Sequence, residues 1–586
     1  MSKSQRNSQS VNRLDSIILG SSEMSDVKHV ASVEALRDLS GRYDGQQISL
    51  TSYYAGGTTG GGFFKWDAAS TAADDGGLVI AVTGVATGRW VRDAGYGVSP
   101  RMFGAVGDNE TDDHAAITAA LPSVYIDLGE GNYVIKSMLQ LVSAATQLYG
   151  PRIPSVGRVG RNTNIFCDFE AEAAIRLANS NCAFGGFSLD RASASGPDAG
   201  IDIVQNESAA TPSRDAAVIG MQFLFFPTCL NIVGRGLTFS NNEIAGANVG
   251  VNIDWLEGFE DVRENTHGTQ GGFRNFTISN NRVHTCETAL VQNIGNNRKW
   301  ISAIQVSDNV FDIGGGVFKG VLRRGQVTNN TVNLARAGEV AVELWGDSRE
   351  YIIDNLFFAG AFKPEGDYEM IRSLPNYMLQ MRGPQTDGSI GTIVASWIAR
   401  QAVRIEADAV LSNITIDKLI ARDVALDNPA FGVIVNLSGS TGEIRIKEIQ
   451  VSATDVPASP VPIIFGATGV NYILDSVPKY DPAKFTLRSG GRVYVPFKGR
   501  INADGTLVNT PPFVTAVKDG TGVWTVTHSL GIASAAECII TASAVSTSNV
   551  NVTVAATSSG FTVRAFNAAG AAVDTVINFD FTTTKN

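Results

Sequence analysis

Two carboxylates and an indole fall on alternate positions within one short stretch, residues 338–355, which reads "GEVAVELWGDSREYIIDN". Strand side chains point alternately to opposite faces. The spacing therefore predicts an apolar face of Val340, Val342 and Leu344 and an outward face of Glu339, Ala341, Glu343 and Trp345. Two carboxyl groups beside an aromatic ring are the parts that cleave a glycosidic bond. One carboxyl protonates the leaving oxygen, the other activates water or attacks the sugar, and the pair stands ~5–5.5 Å apart for retention or ~6.5–9.5 Å for inversion. Glu339 and Glu343 are four residues apart, roughly 13 Å at ~3.3 Å per residue, too far to work together. Glu343 and Asp347 have the same spacing, but Gly346 between them can turn the chain and bring Asp347 back. Glu343 and Asp347 are thus the expected acid and base, with Glu339 in reserve. Trp345, about 6.6 Å along the same face from Glu343, is the expected sugar platform. The plain alternative is a solvated polar strand face.

Those residues must be held by short strands. A motif recurs: "FSNNEI" at 239–244, "ISNNRV" at 278–283, "VSDNVF" at 306–311, "VTNNTV" at 327–332 and "IIDNLF" at 352–357. Its second Asn falls at 242, 281, 309, 330 and 355, in steps of 39, 28, 21 and 25 residues. Strand-type repeats at such a period signal a solenoid, and Asn suits the left-handed backbone of a sharp corner. The expected fold is all-β, a right-handed parallel β-helix over residues 99–475. Neighbouring strands then lie ~4.8 Å apart, and matching the outward positions after each Asn corner sets Asn252, Gln292, Lys319 and Glu343 in one column. The 39-residue step carries an insertion within "GANVGVNIDWLEGFEDVRENTHGTQGGFRNF", expected to emerge as a loop on the binding face.

Further candidates surround this column. Glu287 and the loop carboxylates Asp254, Glu257 and Glu260 are reserves, and Trp255 and Trp300 are additional sugar platforms or packed core residues. A second chemistry, β-elimination on a uronic acid, needs a base and a cation to neutralise the sugar carboxylate; Lys319, Arg323, Arg324, His284 and Tyr351 supply such groups. Five histidines without metal-ligand spacing give no metal site, and no cofactor motif is present. Nor is a GxSxG nucleophile elbow visible, which disfavours a deacetylase.

Bulk properties narrow the class. The 586 residues suffice for several domains, and 44% apolar against 18% charged residues suits a sheet-rich fold. A net charge of -11 argues against nucleic acid and against an anionic membrane surface. Five scattered cysteines without CxxC or CxxH spacing imply neither a disulfide framework nor zinc. The N-terminus has no apolar signal region and no span approaches the ~20 residues of a membrane helix, so synthesis in a cytoplasm without membrane insertion is expected.

The flanks differ from the coil. Residues 1–28 are polar and are expected to be a flexible tail. Residues 29–98, with "GGGFFKWD" and "GRWVRD", form short strands and glycine turns, a small neck domain. In "FGAVGDNETDDHAAITAAL" at 103–121, Thr111 or Asp112 is expected to cap a helix near 112–121 that covers the open end of the coil. A linker is expected at 476–500, and the alternating segments of 501–586, such as "VWTVTHSL" and "FTVRAFNAAGAAVDTVINFDF", form a separate C-terminal β-domain.

Three of these segments carry a resemblance. "GGGFFKWD…GRWVRD" followed by "FGAVGDNETDDHAAITAAL" resembles the neck and β-helix start of bacteriophage tailspike proteins, and "FTVRAFNAAGAAVDTVINFDF" is similar to their C-terminal strand-rich domains. The second motif is shared with pectate-lyase-like β-helices in general, so it identifies the fold and not the reaction. The resemblance implies an elongated homotrimeric virion spike, assembled in the host cytoplasm and acting at the bacterial surface. It would attach to the phage tail or baseplate through its N-terminal region. It implies a polysaccharide depolymerase for capsule, O-antigen or exopolysaccharide, with the sugar groove in residues 200–400 and the C-terminal β-sandwich-like domain serving trimerisation or glycan binding. Catalytic residues differ across the family, so none is carried over. Endo-glycosidic hydrolysis by the carboxylate pair is the expected reaction, with a polysaccharide lyase and a non-catalytic adhesin as alternatives.

Overall fold

Asparagine shapes the coil, though not as its spacing alone suggests. After the strands that end at Ser240, Ser279, Ser307 and Thr328, the chain turns through the first residue of each pair: Asn241 (φ 56°), Asn280 (55°), Asp308 (59°) and Asn329 (56°). The second residue, expected at the left-handed position, is instead buried and stacks on its equivalent in the next rung. Asn242, Asn281, Asn309 and Asn330 form this ladder: the Oδ1 of each lower member accepts the backbone N–H of the one above, from Asn281 to Asn242 at 3.0 Å, Asn309 to Asn281 at 3.0 Å and Asn330 to Asn309 at 3.1 Å. The fifth repeat is offset by one. Asn355 (φ 49°) takes the left-handed corner and hydrogen-bonds Asn329, so Leu356 occupies the ladder position. An apolar side chain ends the ladder there because Asn330 turns its amide N–H groups onto the Val306 and Thr328 carbonyls.

The computed structural model describes residues 27–583 except 96, 142–145, 152–162, 178–180, 193–194, 204–213, 234, 254–274, 293–300, 334–339, 360–376, 397–400, 425–433, 438–440, 454–458, 467–470, 490–491 and 533. Among the described residues, thirty-seven strands make a parallel β-helix. The chain divides into two units, residues 1–202 with 216–222, and residues 203–215 with 223–586.

The first unit opens with a five-stranded sheet (Lys28–Val30, Gln47–Leu50, Gly62–Asp67, Val79–Ala81, Arg89–Arg92) whose core holds Ile48, Phe64, Trp66 and Trp90. Arg92 is buried and forms no ion pair among the described residues. Its guanidinium donates to the carbonyls of Gly77, Gly61 and Gly60 and stacks on Phe64, and burial lowers its pKa to about 10. The helix is shorter than expected, His114–Ala120; Thr111 does not cap it, whereas Asp112 Oδ1 accepts the N–H of its first residue, His114, at 3.1 Å. Asp113 is the N-cap residue, but its carboxylate is committed to the N–H groups of Val106 and Gly107, and burial pushes its pKa up. The acidic run thus pins the glycine turn, while Ile117 and Ala120 bury on the coil side. The first rungs stack Ile126 on Leu148, Tyr133 on Ile165 and Leu139 on Ile175.

In the second unit the rungs do not stop at 475. Phe485–Ser489 and Arg492–Tyr494 pair with Val461–Gly466 and Asn471–Leu474, so the expected linker at 476–500 is the last turn of the coil. Tyr472, Phe485 and Val493 extend the apolar stack, which is the physical reason that the coil continues through "YDPAKF". Two four-stranded antiparallel sheets follow from Phe497 to Thr583, packed around Trp524, Phe561, Phe579 and Phe581.

Candidate functional site

One outward position per rung defines a column. Asn231, Asn252, Gln292, Lys319, Glu343, Gln380, Arg404 and Asn436 are successive register partners. Asn252, Gln292, Lys319 and Glu343 stand in that column as the sequence spacing suggested; Gln380, Arg404 and Asn436 extend it. The pattern is local. In the strand Val340–Leu344, Val342 and Leu344 face the core and Glu343 lies between them. Ala341 is fully buried, because it sits at the register of Ala402 and Ile434, which precede their own strands at the corner. The broad outward face expected from strict alternation is therefore a single residue wide.

Glu343 is not solvated: its side chain is 7% exposed. Its carboxylate lies 3.5 Å from Lys319 Nζ and 3.1 Å from Arg382 Nε. Among the described residues it is the one buried glutamate, and the only other buried carboxylate, Asp113, is spent on backbone N–H groups. Trp345 is half-buried just past the strand, with Lys319 Nζ 5.5 Å from its ring centroid. One lysine thus touches both the carboxylate and the indole. The Trp345 Nε1 atom is buried and has no hydrogen-bond partner, and the same holds for Oε1 of Gln292 and Oδ1 of Asn252 and Asn436. Unsatisfied polar atoms in one column are a cost that a hydrogen-bonding ligand would remove.

Gly346 (φ 52°) turns the chain as expected, but Asp347 meets arginines. Its Oδ2 accepts from Arg323 Nη2 at 2.6 Å and lies 3.1 Å from Arg349 Nη2, and its carbonyl accepts from Arg323 Nε. The turn is packed tightly: a Cβ on Gly383 of the next rung would sit 3.0 Å from Gly346 Cα.

Glu406 was not found from sequence. It follows the strand Val403–Ile405 and accepts from Gln380 Nε2 and from Arg404 Nε (2.8 Å) and Nη2 (3.1 Å). Burial pushes its pKa up, but the Arg404 and Gln380 hydrogen bonds and the Arg382 charge outweigh that, so it ends below the usual glutamate range. Arg382 therefore acts on both Glu343 and Glu406. Arg404 also donates to Tyr377 Oη at 2.8 Å and stacks on its ring. The available signal was "VRIEAD" repeating the pattern of "VELWGD" with charge on both sides of a strand; without the register, nothing linked the two.

The remaining candidates lie elsewhere. Glu287 is exposed on a bulge between Cys286 and Ala289, outside the column. Tyr351 is fully buried against Met381, so it cannot serve as a base. Arg324 is paired with Glu350, and His284 lies between Glu243 and Asp312. Glu339, Trp255, Trp300, Asp254, Glu257 and Glu260 fall outside the described residues. Among the described residues no group of three His, Cys, Asp or Glu is placed to hold a metal, and no helix is long and apolar enough to cross a membrane.

Comparison with known proteins adds one match by sequence. Residues 29–95 match the family described as phage tail protein small four-stranded beta-sheet domain. A search of curated proteins finds no match. Among solved structures, the chain is similar to the tailspike protein gp49 of Acinetobacter baumannii bacteriophage Fri1, a capsular polysaccharide depolymerase (12% identity, 95% of this chain and 98% of that one, TM-score 0.39). It is also similar to WceF of Pantoea stewartii, a glycan biofilm modifying enzyme with a tailspike-like parallel β-helix (13%, 95% and 71%, 0.41). A third is the enzymatically active domain of tailspike protein 2 of bacteriophage CBA120 (14%, 96% and 80%, 0.40).

Proposed function

We propose that this chain is a phage tailspike that depolymerises a host bacterial surface polysaccharide. The phage-tail match at 29–95 supports virion attachment through the N-terminal domain. The reading of the site rests on one observation: Glu343 is a buried carboxylate on the outer wall of a β-helix, held by two cations beside an indole. A carboxylate kept among cations on that wall, with polar atoms beside it that lack hydrogen-bond partners, is the feature that supports this reading.

The reaction proposed is endo-glycosidic hydrolysis at Glu343. Its partner is Glu406. The register sets Glu343, Gln380 and Arg404 on three successive rungs, about 10 Å from first to last at ~4.8 Å per rung. Glu406 lies two residues past Arg404, ~6.6 Å further along the chain; its carboxylate leans back to Gln380 and that of Glu343 leans towards Arg382, which shortens the gap towards the ~6.5–9.5 Å of inversion. Trp345 supplies the stacking surface, and the amide oxygens of Asn252 and Gln292, which have no hydrogen-bond partner among the described residues, accept from sugar hydroxyls. Asp347, expected as partner from its spacing, is assigned to holding Arg323 and Arg349 in place.

A second reading is favoured by Tyr377. Its Oη is hydrogen-bonded by Arg404, and with Lys319 or Arg382 neutralising a uronate it could abstract a proton for β-elimination. Incubating the full chain with purified host glycan decides among these. New reducing ends without ultraviolet absorbance support hydrolysis, unsaturated uronate absorbance supports elimination, and an intact polymer sinks the depolymerase reading.

A trimer is part of the proposal. The strands Cys538–Val545 and Val550–Thr557 leave Ile540, Val552 and Val554 only half-buried and Ile539 and Val545 exposed, which suits an edge completed by further copies.

A further inference from the structure

Two buried polar side chains sit where the neighbouring rungs carry leucine. Ser348 and Gln385 are register partners, and both are fully buried. At the same register the rung before has Leu322 and the rung after has Leu411, so an apolar side chain fits this inner corner. Burying a polar group is costly unless it is hydrogen-bonded, and both residues bond turn backbone. Ser348 Oγ accepts the Leu322 N–H at 3.0 Å and donates to the Trp345 carbonyl at 2.9 Å. Gln385 Nε2 donates to the Arg382 carbonyl at 2.9 Å and to the Gly346 carbonyl at 3.2 Å. Its Oε1 is buried and has no hydrogen-bond partner among the described residues. An amide satisfied on one side only stabilises a core less than leucine does, which points to a task beyond packing.

That task follows from which carbonyls are held. Gly346 and Gly383 turn the chain on adjacent rungs, at φ 52° and 67°, and the residues just ahead of them are Trp345 and Arg382. Arg382 is gripped on both sides of its backbone: its N–H donates to the Leu344 carbonyl at 2.9 Å, and its carbonyl accepts from Gln385. Its side chain is 49% exposed and its Nε lies 3.1 Å from Glu343. A long side chain in water has many rotamers, so a fixed backbone origin is what confines the guanidinium. Displacing a group by 1 Å can cost about 100-fold in rate. Resting on the reading that Glu343 is the reacting carboxylate, we infer that Gln385 is a positioning residue: from inside the coil it fixes the peptide that carries Arg382 and so sets the guanidinium against Glu343.

The test follows cleavage of the purified host surface polysaccharide by the full chain and by Gln385→Met, which keeps the length of the side chain but has no N–H to donate. The inference predicts that kcat falls about tenfold while KM stays within about twofold, and that the melting temperature stays within about 3 °C of the parent. A merely structural role would lower the melting temperature and would not separate kcat from KM. Gln385→Leu, which places at this register the residue type of Leu411, repeats the measurement if the methionine variant does not fold. An unchanged kcat, a rise in KM that matches the loss of rate, or failure of both variants to fold overturns the inference and leaves the depolymerase reading intact. No cleavage by the parent chain overturns that reading and the inference with it.

Discussion

At the scale of single residues, the site depends on how few side chains point outward. Glu343 is flanked by core residues on its own strand and by Lys319 and Gln380 on the neighbouring rungs, and among the described residues its two oxygens meet the Lys319 and Arg382 cations. Glu343→Gln keeps size and shape but removes the negative charge, and it should lower depolymerisation at least ~100-fold while the glycan is still bound. Glu406→Gln should do the same if it is the partner, whereas Tyr377→Phe should leave hydrolysis unaffected. Rates on host glycan, with binding measured on the same preparations, check this; full activity in Glu343→Gln would end the assignment.

At the scale of elements, the asparagine ladder carries the corner. Asn309 Oδ1 accepts from both the backbone N–H and the side-chain amide of Asn281, and its Nδ2 donates to Ile278 and to Asn330. Asn309→Leu would strand several buried groups at ~1–3 kcal/mol each, so a loss of about 3 kcal/mol or more is expected, although Leu356 shows that leucine fits the position when the partners are arranged for it. Asp308→Gly, one residue earlier at φ 59°, should change stability by less than about 1 kcal/mol because glycine adopts that conformation without strain. Urea unfolding of the two variants side by side measures the contrast. The pairing motif was legible as a repeat, yet which Asn turns and which stacks was not, since both residues of "NN" suit either task. Only the register separates them, and it also shows why the fifth repeat slips by one.

At the scale of the whole molecule, the C-terminal sandwich has its own acid response. His528 is buried against Phe581, its Nδ1 accepts from Leu530 N–H and its Nε2 has no partner. Burial lowers its pKa to about 4. Because the unfolded chain takes up the proton first, at ~6.5, this group's stabilisation is complete above pH ~6.5 and is lost as pH falls towards 4. About 3 kcal/mol is at stake over that window. His528→Leu should flatten the acid limb of thermal stability between those values. The proposed association is checked separately: light scattering of the full chain should give three times its 62.0 kDa, and Ile539→Asp should shift it to monomer.

Periodic demands were readable in the chain itself. The recurring Asn pairs and the apolar alternation require a coil, and the spacing between corners was enough to align Asn252, Gln292, Lys319 and Glu343, because a parallel stack repeats its corner and so carries register along the sequence. Where that repeat was interrupted, the reading ran out. The coil's last turn at 485–494 lacks an Asn corner and passed for a linker, and Glu406 lies beyond any repeat that ties it to Glu343. Tertiary structure alone decided which charges meet. Polar contacts across rungs join residues whose separation in the chain, 24 for the Lys319–Glu343 ion pair or 26 for the Gln380–Glu406 hydrogen bond, depends on loop lengths that no local preference encodes.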